Sequence, residues 1–300
     1  MSSIAYVTDS DMIEYHRLCG NRRFNFWRLS ARAAFSDFRK GDLLFFFAYG
    51  RHSRKKGFVG CAHFESAKKL SLKQMWKLYG NLNGFDTMRD LEEAIKRASR
   101  DHEVPERMSC LLLSDAVFFS EPVFPQEAKV PVSEKLESYM YLDRNDPEAT
   151  LRILRIAREK GLDPWASSQS EEPENVFELD ETREILANIA RDLGEEAWNR
   201  EEMKRARALA ASAVGYEKIR GSLTDLFLLK DGILTIAFPY VSNSLREAAY
   251  LRALLGKMMY YRVKGKQMGL PVREVNFKIL CGEEERQKDL LEEAVNHVGL

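Results

Sequence analysis

Two aromatic, β-prone runs separated by a short basic loop place the strongest constraint on how this chain can fold. The runs are LLFFFAY at 43–49 and FVGCAHF at 58–64, and the loop between them, GRHSRKKG, begins and ends with glycine. Two such runs around a glycine-bounded connection predict a β-hairpin. Because consecutive strand residues point to opposite faces, at least one of Phe45, Phe46 and Phe47 must be buried.

The remaining patterns of the first part alternate short strands with short helices. Strands are expected at 4–8 and 108–119, and helices at 10–19, 71–79 and 86–99. The expected N-caps are Asp9 or Ser10, Ser71 and Asp86. These elements predict an α+β unit with a curved, strand-rich sheet that closes near residue 130.

The second part has a different order of elements. Helices are expected within 134–165, stopped at Gly161–Pro164, followed by the polar segment 167–175 and by helices at 180–194 and 196–214. A hairpin with a Lys-Asp-Gly turn, a helix at 244–268, a strand at 271–281 and a helix at 283–297 then predict an α/β arrangement. The expected domains are 1–130, a helical and polar connector at 131–178, and 179–300.

Charge is unevenly distributed along a chain with no net charge. Residues 1–70 carry 13 Lys and Arg against 6 Asp and Glu, whereas residues 130–200 carry 9 against 17. A basic N-terminal part suits a surface that binds a polyanion such as DNA or RNA. The same asymmetry also arises when each charge only solvates its own surface.

Several functional classes are excluded by motifs that the sequence lacks. The sequence contains no run of 18 apolar residues, no secretory signal pattern, no CxxC pair, and no P-loop, HExxH or GxSxG motif. The four scattered cysteines suit a reducing compartment. We therefore expect a cytoplasmic protein without membrane association and without a bound cofactor.

Motifs along residues 1–125 occur in an order typical of a known domain. They are FNFWRLS, GDLLFFF, FVGCAHF and WKLYGNLNG, followed by CLLLSDAVFF. In this order they resemble the PUA-like, EVE-related domain at the N-terminus of certain HNH restriction-type endonucleases. The resemblance implies a curved, barrel-type sheet with helices that reads DNA or RNA, often through a modified or flipped-out base in an aromatic pocket.

The resemblance and the chemistry of base recognition indicate two sets of site residues. Aromatic faces restore the stacking that a flipped base loses, and an amide reads the edge of the base. The expected base-binding residues are Asn25, Phe26, Trp27, Phe47 and Tyr49. The expected phosphate-binding residues are Arg28, Arg51, Arg54, Lys55 and Lys56.

Alternatives stay open for several of these residues. Trp27 suits a pocket wall or the core, Asn83 suits a turn, and the basic loop 51–56 suits a solvated hairpin tip. The chain also departs from the family pattern. Phe47 stands where relatives tend to carry lysine, and Gly60–His63 replaces a run of glycines.

Residues 222–280 resemble the core of PD-(D/E)xK nucleases, especially the RecB-like ones. The resemblance places Asp225 at the metal-binding aspartate, while Phe238 and Tyr240 stand where the family carries glutamate and lysine. Lys257 and Tyr261 occupy the glutamine and tyrosine positions of the following helix. Aromatic side chains do not supply the oxygen ligands that Mg²⁺ requires. We therefore expect a restriction-endonuclease-like α/β domain that has lost its chemistry and serves as a scaffold or for homodimerisation.

The favoured hypothesis is a nucleic-acid-binding protein in a restriction or defence context. One alternative is an active Mg²⁺-dependent nuclease with relocated residues, in which Asp225, Glu217 and Lys257 are catalytic and Asp225 binds the metal. Another is a regulatory protein that binds a small nucleotide in the aromatic pocket. A third possibility is that Asp225 is only a turn residue in an unrelated α/β domain.

Overall fold

The structure is a computed structural model that describes residues 3–29, 38–50, 55–133, 135–167, 176–194, 198–241 and 247–281. The chain divides into two compact units, Met1–Glu174 and Asn175–Leu300. Each unit contains helices and one mixed sheet, so both are α+β in composition. None of the described helices combines the length and the apolar composition needed to cross a lipid bilayer.

The first unit follows the predicted alternation of strands and helices. Its described elements are β1 (Ile4–Val7), α1 (Ser10–Leu18), β2 (Phe24–Arg28), β3 (Leu43–Tyr49), β4 (Lys56–Leu70), α2 (Leu72–Tyr79), a 3₁₀ turn (Gly80–Asn83), α3 (Met88–Ala98), β5 (Met108–Val123), β6 (Tyr139–Tyr141), α4 (Ala149–Lys160) and α5 (Pro164–Ser167). The predicted hairpin is confirmed by the antiparallel pairing of β3 with β4.

The first sheet has the strand order β2-β5-β4-β3-β1-β6. Only the β1–β3 pair is parallel, and the long β4–β5 pair contains three register shifts. Such shifts bend strands and increase their twist. Side chains of β2 accordingly contact β1, although three strands separate them in the sheet. The sheet is therefore strongly curved, but its described strands do not close into a hydrogen-bonded barrel.

Two apolar clusters form the core of this unit. One joins β1, α1, β2 and the β3–β5 strands, and the other lies between α2, α3 and the start of β5. Ser71 begins α2 with a capping box shared with Gln74, as the sequence predicts. The prediction that Asp86 caps α3 is wrong, because Thr87 is the N-cap. Asp86 instead accepts a hydrogen bond from Tyr15 Oη at 2.8 Å.

The first unit extends beyond residue 130, where the sequence patterns suggest that the sheet closes. β6 pairs antiparallel with β1, and α4 packs against β5. The backbone N–H and the hydroxyl of Ser3 both donate to Asp143 Oδ2 at 2.8 Å. Residues that the sequence assigns to a connector thus complete the edge of the first sheet.

The second unit contains α6 (Val176–Leu193), α7 (Arg200–Ser212), β7 (Glu217–Lys218), β8 (Leu226–Lys230), β9 (Ile233–Pro239), α8 (Glu247–Gln267) and β10 (Glu274–Leu280). Its sheet has the order β10-β9-β8-β7, with β10 parallel to β9. The predicted β8–β9 hairpin is confirmed, with Asp231 and Gly232 both at positive φ in the turn. The predicted helix at 283–297 lies outside the described residues.

Candidate nucleic-acid interface

Three tyrosines line the edge of the first sheet where β6 joins β1. Tyr6 and Tyr139 are register partners, and their rings stack with centroids 5.9 Å apart and an interplanar angle of 10°. Tyr141 lies two residues further along β6, on the same face, with its ring 6.0 Å from that of Tyr139. The alternation of an antiparallel pair therefore assembles a continuous row of aromatic rings.

Two arginines lie on this row. The Arg28 guanidinium is 5.7 Å from the ring centroid of Tyr6, and that of Arg144 is 3.8 Å from the centroid of Tyr141. Guanidinium groups within about 6 Å of an aromatic ring are attracted by its negative face. Tyr139 and Arg144 are exposed, and the other members are half-buried. We call these five residues the tyrosine–arginine surface: Tyr6, Arg28, Tyr139, Tyr141 and Arg144.

The curvature of the sheet brings β2 to this surface. Phe26 meets Tyr6 edge to face, with ring centroids 4.9 Å apart. Arg28 follows two residues later and also donates to Ser109 Oγ at 3.4 Å. Of the residues predicted to bind a base or a phosphate, Phe26 and Arg28 therefore both lie next to the ring of Tyr6. Phe26 is buried in the core, whereas Arg28 is half-buried.

Asn25 and Trp27 donate hydrogen bonds to the 3₁₀ turn that follows α2. Asn25 is 0% exposed, and its Nδ2 donates to Asn83 Oδ1 at 2.8 Å. Trp27 Nε1 donates to the Asn83 carbonyl at 3.1 Å, and Asn83 in turn donates to the Gly80 carbonyl at 2.7 Å. In this conformation the amide of Asn25 faces protein rather than a ligand. The turn interpretation of Asn83 agrees with these contacts.

The remaining residues predicted to contact a base or a phosphate belong to β3, β4 and the segment of sequence that joins them. Phe47 is buried against Phe58, with ring centroids 5.4 Å apart. Tyr49 is 54% exposed, and Lys56 Nζ lies 5.5 Å from its ring centroid. Lys55 is exposed and immediately precedes β4. The predicted phosphate contacts Arg51 and Arg54 lie outside the described residues.

Two of the three predicted catalytic residues, Asp225 and Lys257, form a buried ion pair in the second unit. Asp225 is 1% exposed; its Oδ1 accepts from Lys257 Nζ at 2.7 Å and its Oδ2 accepts from Tyr261 Oη at 2.9 Å. Lys257 Nζ also lies 5.3 Å from the ring centroid of Phe238. Both carboxylate oxygens of Asp225 thus already have protein partners, one of them a cation.

Glu217 does not join this group. Its carboxylate accepts two hydrogen bonds from Arg183, both at 3.0 Å, and it lies on β7 opposite Phe227. Within the described ranges, no three His, Cys, Asp or Glu side chains are arranged to hold a metal ion. A hard divalent cation needs several oxygen ligands, and Asp225 offers one carboxylate that is already neutralised.

Comparisons with known proteins find similarity only at the level of solved structures. No family model and no curated protein matches the chain. Three structures of ASCH from Zymomonas mobilis are similar to it. A tyrosine-to-phenylalanine mutant has a TM-score of 0.38 and 15% identity, and covers 52% of this chain and 99% of that one.

The other two give similar values. A serine-to-alanine mutant has a TM-score of 0.38 and 13% identity, with 51% and 95% coverage. The remaining structure has a TM-score of 0.36 and 15% identity, with 51% and 94% coverage. These scores are too low for the likeness to support a fold assignment or a function.

Sequence reasoning missed Tyr139, Tyr141 and Arg144. They lie in a segment whose composition is typical of a connector, and β6 is only three residues long. The available signal is the alternation Tyr-Met-Tyr followed by an arginine three residues after Tyr141. Such an alternation places two tyrosines on one face of a strand.

Proposed function

We propose that the protein binds nucleic acid through the tyrosine–arginine surface of its first unit. The observation that supports the proposal is the row of tyrosine rings with a guanidinium on two of them. Unpaired bases stack on such rings with a gain of about 1–3 kcal/mol per base, independently of sequence. Arginines beside the rings supply phosphate contacts and additional stacking.

The proposal favours a single-stranded or unstacked ligand. A ring that stacks on a base needs the base face, which a duplex covers with its neighbouring base pairs. Tyr139 is the most exposed ring of the row, so it is the proposed primary stacking residue. The excess of Lys and Arg over Asp and Glu in residues 1–70 would draw a polyanion towards this unit. Lys55 and Lys56 remain proposed phosphate contacts, and Tyr49 a proposed base contact.

The proposal also includes a more specific role for each unit and a biological context. The first unit is proposed to be a PUA-like reader, with a modified or flipped base as its ligand. The second unit is proposed to be a restriction-endonuclease-like scaffold without cleavage activity. The Asp225–Lys257 ion pair supports that assignment, because a lysine ammonium occupies the carboxylate that would hold Mg²⁺. A restriction or defence context is proposed from the resemblance alone.

The test measures binding of labelled single-stranded DNA and RNA oligonucleotides, plain and base-modified, by fluorescence anisotropy at two salt concentrations. We expect Tyr139→Ala to weaken binding by about 5- to 150-fold, as the loss of one stacked base requires. Arg144→Ala is expected to lower the slope of log affinity against log salt by about 0.7, the value for one phosphate of a single strand.

Tyr260→Ala is the matched control, because Tyr260 lies on α8 beside Lys264 Nζ at 5.8 Å and reproduces a tyrosine–cation pair in the other unit. It should bind like the unaltered protein. Equal losses in Tyr139→Ala and Tyr260→Ala would contradict the proposal. Saturable, salt-insensitive binding of mononucleotides alone would instead favour the regulatory alternative.

A further inference from the structure

A cavity of about 650 Å³ lies in the first unit between α1 and the ends of β3 and β5. Its volume falls within the range of about 300–1,000 Å³ that small-molecule sites occupy. Tyr49, Phe118 and Phe124 contribute to its walls, and Tyr49 is the most exposed of the three. The tyrosine–arginine surface contributes no residue to this cavity. The cavity is therefore separate from the tyrosine–arginine surface, although its wall includes Tyr49, a proposed base contact.

The polar lining of the cavity is predominantly acidic. Four carboxylates line it, from Asp11, Glu14, Glu121 and Asp163, and among its described lining residues Arg17 is the one cation. Arg17 is bound within the protein, with Nη2 2.6 Å from Glu14 Oε1 and Nη1 3.2 Å from Asp163 Oδ1. The lining charge that remains is negative, and it comes mainly from Asp11 and Glu121. A phosphate group would be repelled by this lining.

The protein itself places ammonium groups on two of the wall rings. Lys56 Nζ lies 5.5 Å from the centroid of Tyr49, and Lys160 Nζ lies 5.4 Å from the centroid of Phe124. Lys160 is also paired with Glu127 at 2.7 Å, so its charge is balanced outside the cavity wall. Two rings of the wall thus each have a primary ammonium at cation–π distance.

We propose that this cavity binds a small organic cation with a protonated amine and a flat apolar body. The apolar body packs against the phenylalanine wall, and the ammonium lies between the Tyr49 ring and the carboxylates of Asp11 and Glu121. This assignment depends on the lining of the cavity and does not require binding at the tyrosine–arginine surface. A neutral or anionic analogue of the same shape lacks the electrostatic part of the interaction.

The experiment uses the full chain and three probes of one shape: 2-phenylethylammonium, 2-phenylethanol and 3-phenylpropanoate. Binding is measured by isothermal titration and by chemical-shift changes of labelled phenylalanine and tyrosine. We expect the ammonium to bind more tightly than the alcohol by about fivefold or more, and the carboxylate not to bind. Glu121→Gln should weaken the ammonium by about two- to fivefold and leave the alcohol unchanged.

Lys56→Met separates this proposal from a general loss of structure. Removing the lysine takes away a positive charge 5.5 Å from the Tyr49 ring, so the ammonium should bind about two- to fivefold more tightly, whereas a damaged site would bind less. Glu201→Gln, an exposed change on α7, is the control and should have no effect. Equal affinity for all three probes, no binding of the ammonium, or weaker binding in Lys56→Met would overturn the assignment.

Discussion

At the scale of single residues, His16 couples the stability of the first unit to pH. Its ring is buried and stacks on Phe24, with centroids 3.9 Å apart, and its Nδ1 lies 3.1 Å from Asn21 Nδ2. Burial lowers the pKa of His16 from 6.5 to about 3. The unfolded chain therefore takes up a proton near pH 6.5, whereas the folded protein does so only near pH 3.

We expect the free energy of unfolding to fall as pH decreases from about 6.5 towards 3, by about 1.4 kcal/mol per pH unit from this residue. Urea unfolding at about pH 7 and about pH 5 measures the difference. His16→Phe should remove this part of the pH dependence, while the exposed control His102→Asn should retain it. An unchanged slope in His16→Phe would contradict the assignment.

The Asp225–Lys257 pair leads to a second prediction at this scale. Lys257→Met leaves a buried carboxylate without its cation, which typically costs about 3–5 kcal/mol. Asp225→Asn combined with Lys257→Met removes both charges and should recover a large part of that loss. Urea unfolding of the two variants tests this coupling. Equal stability of the single and double variants would indicate that Asp225 tolerates an unpaired charge, as a metal-binding carboxylate does.

At the scale of elements, the β8–β9 hairpin depends on the backbone of its two turn residues. Asp231 and Gly232 have φ angles of 51° and 73°, the left-handed region that two-residue hairpin turns require. A Cβ on Gly232 would also approach the Arg273 side chain closely. Gly232→Ala should therefore destabilise the protein by about 1–2 kcal/mol. Thermal unfolding of the variants measures this difference. Asp231→Asn keeps a favoured turn residue, so its midpoint of unfolding should equal that of the unaltered protein.

Elements with a strong local signal could be predicted from the sequence, whereas the short strands could not. A few adjacent residues are enough to specify some structures. Examples are the aromatic runs of β3 and β4, the Ser71 cap and the Asp-Gly turn. β6 and β7 contain three and two residues, too few to show a period. Their position depends on the neighbouring strand that pairs with them, which is information from distant parts of the chain.

The same distinction applies to the candidate site. The sequence identifies residues with suitable chemistry, but Asn25 and Phe47 are buried together with the strand residues on either side of them, so both faces of β2 and β3 are covered at these positions. Arg28 reaches the aromatic row only because the sheet curves, and Tyr139 arrives from more than 100 residues away. Lys257 and Tyr261 both meet Asp225 because residues four positions apart lie on one face of a helix.

At the scale of the whole molecule, the pairing of β6 with β1 determines where the chain can be cut to give a folded fragment. β6 covers the outer edge of β1, and Asp143 fixes Ser3, the residue immediately before that strand. A fragment that stops at residue 130 would expose the backbone N–H and C=O groups of β1 along that edge. Unprotected edges of this kind pair with other copies of the same chain.

Fragment length therefore controls whether the isolated first unit is suitable for binding experiments. Residues 1–174 should elute from gel filtration as a monodisperse species with sharp, dispersed amide resonances. Residues 1–130 should form concentration-dependent aggregates that bind amyloid-sensitive dyes, because a strand from another copy would pair with β1 in place of the missing β6. Crystallisation trials, library selections or fusion tags built on the shorter boundary would then report on self-assembly rather than on ligand recognition.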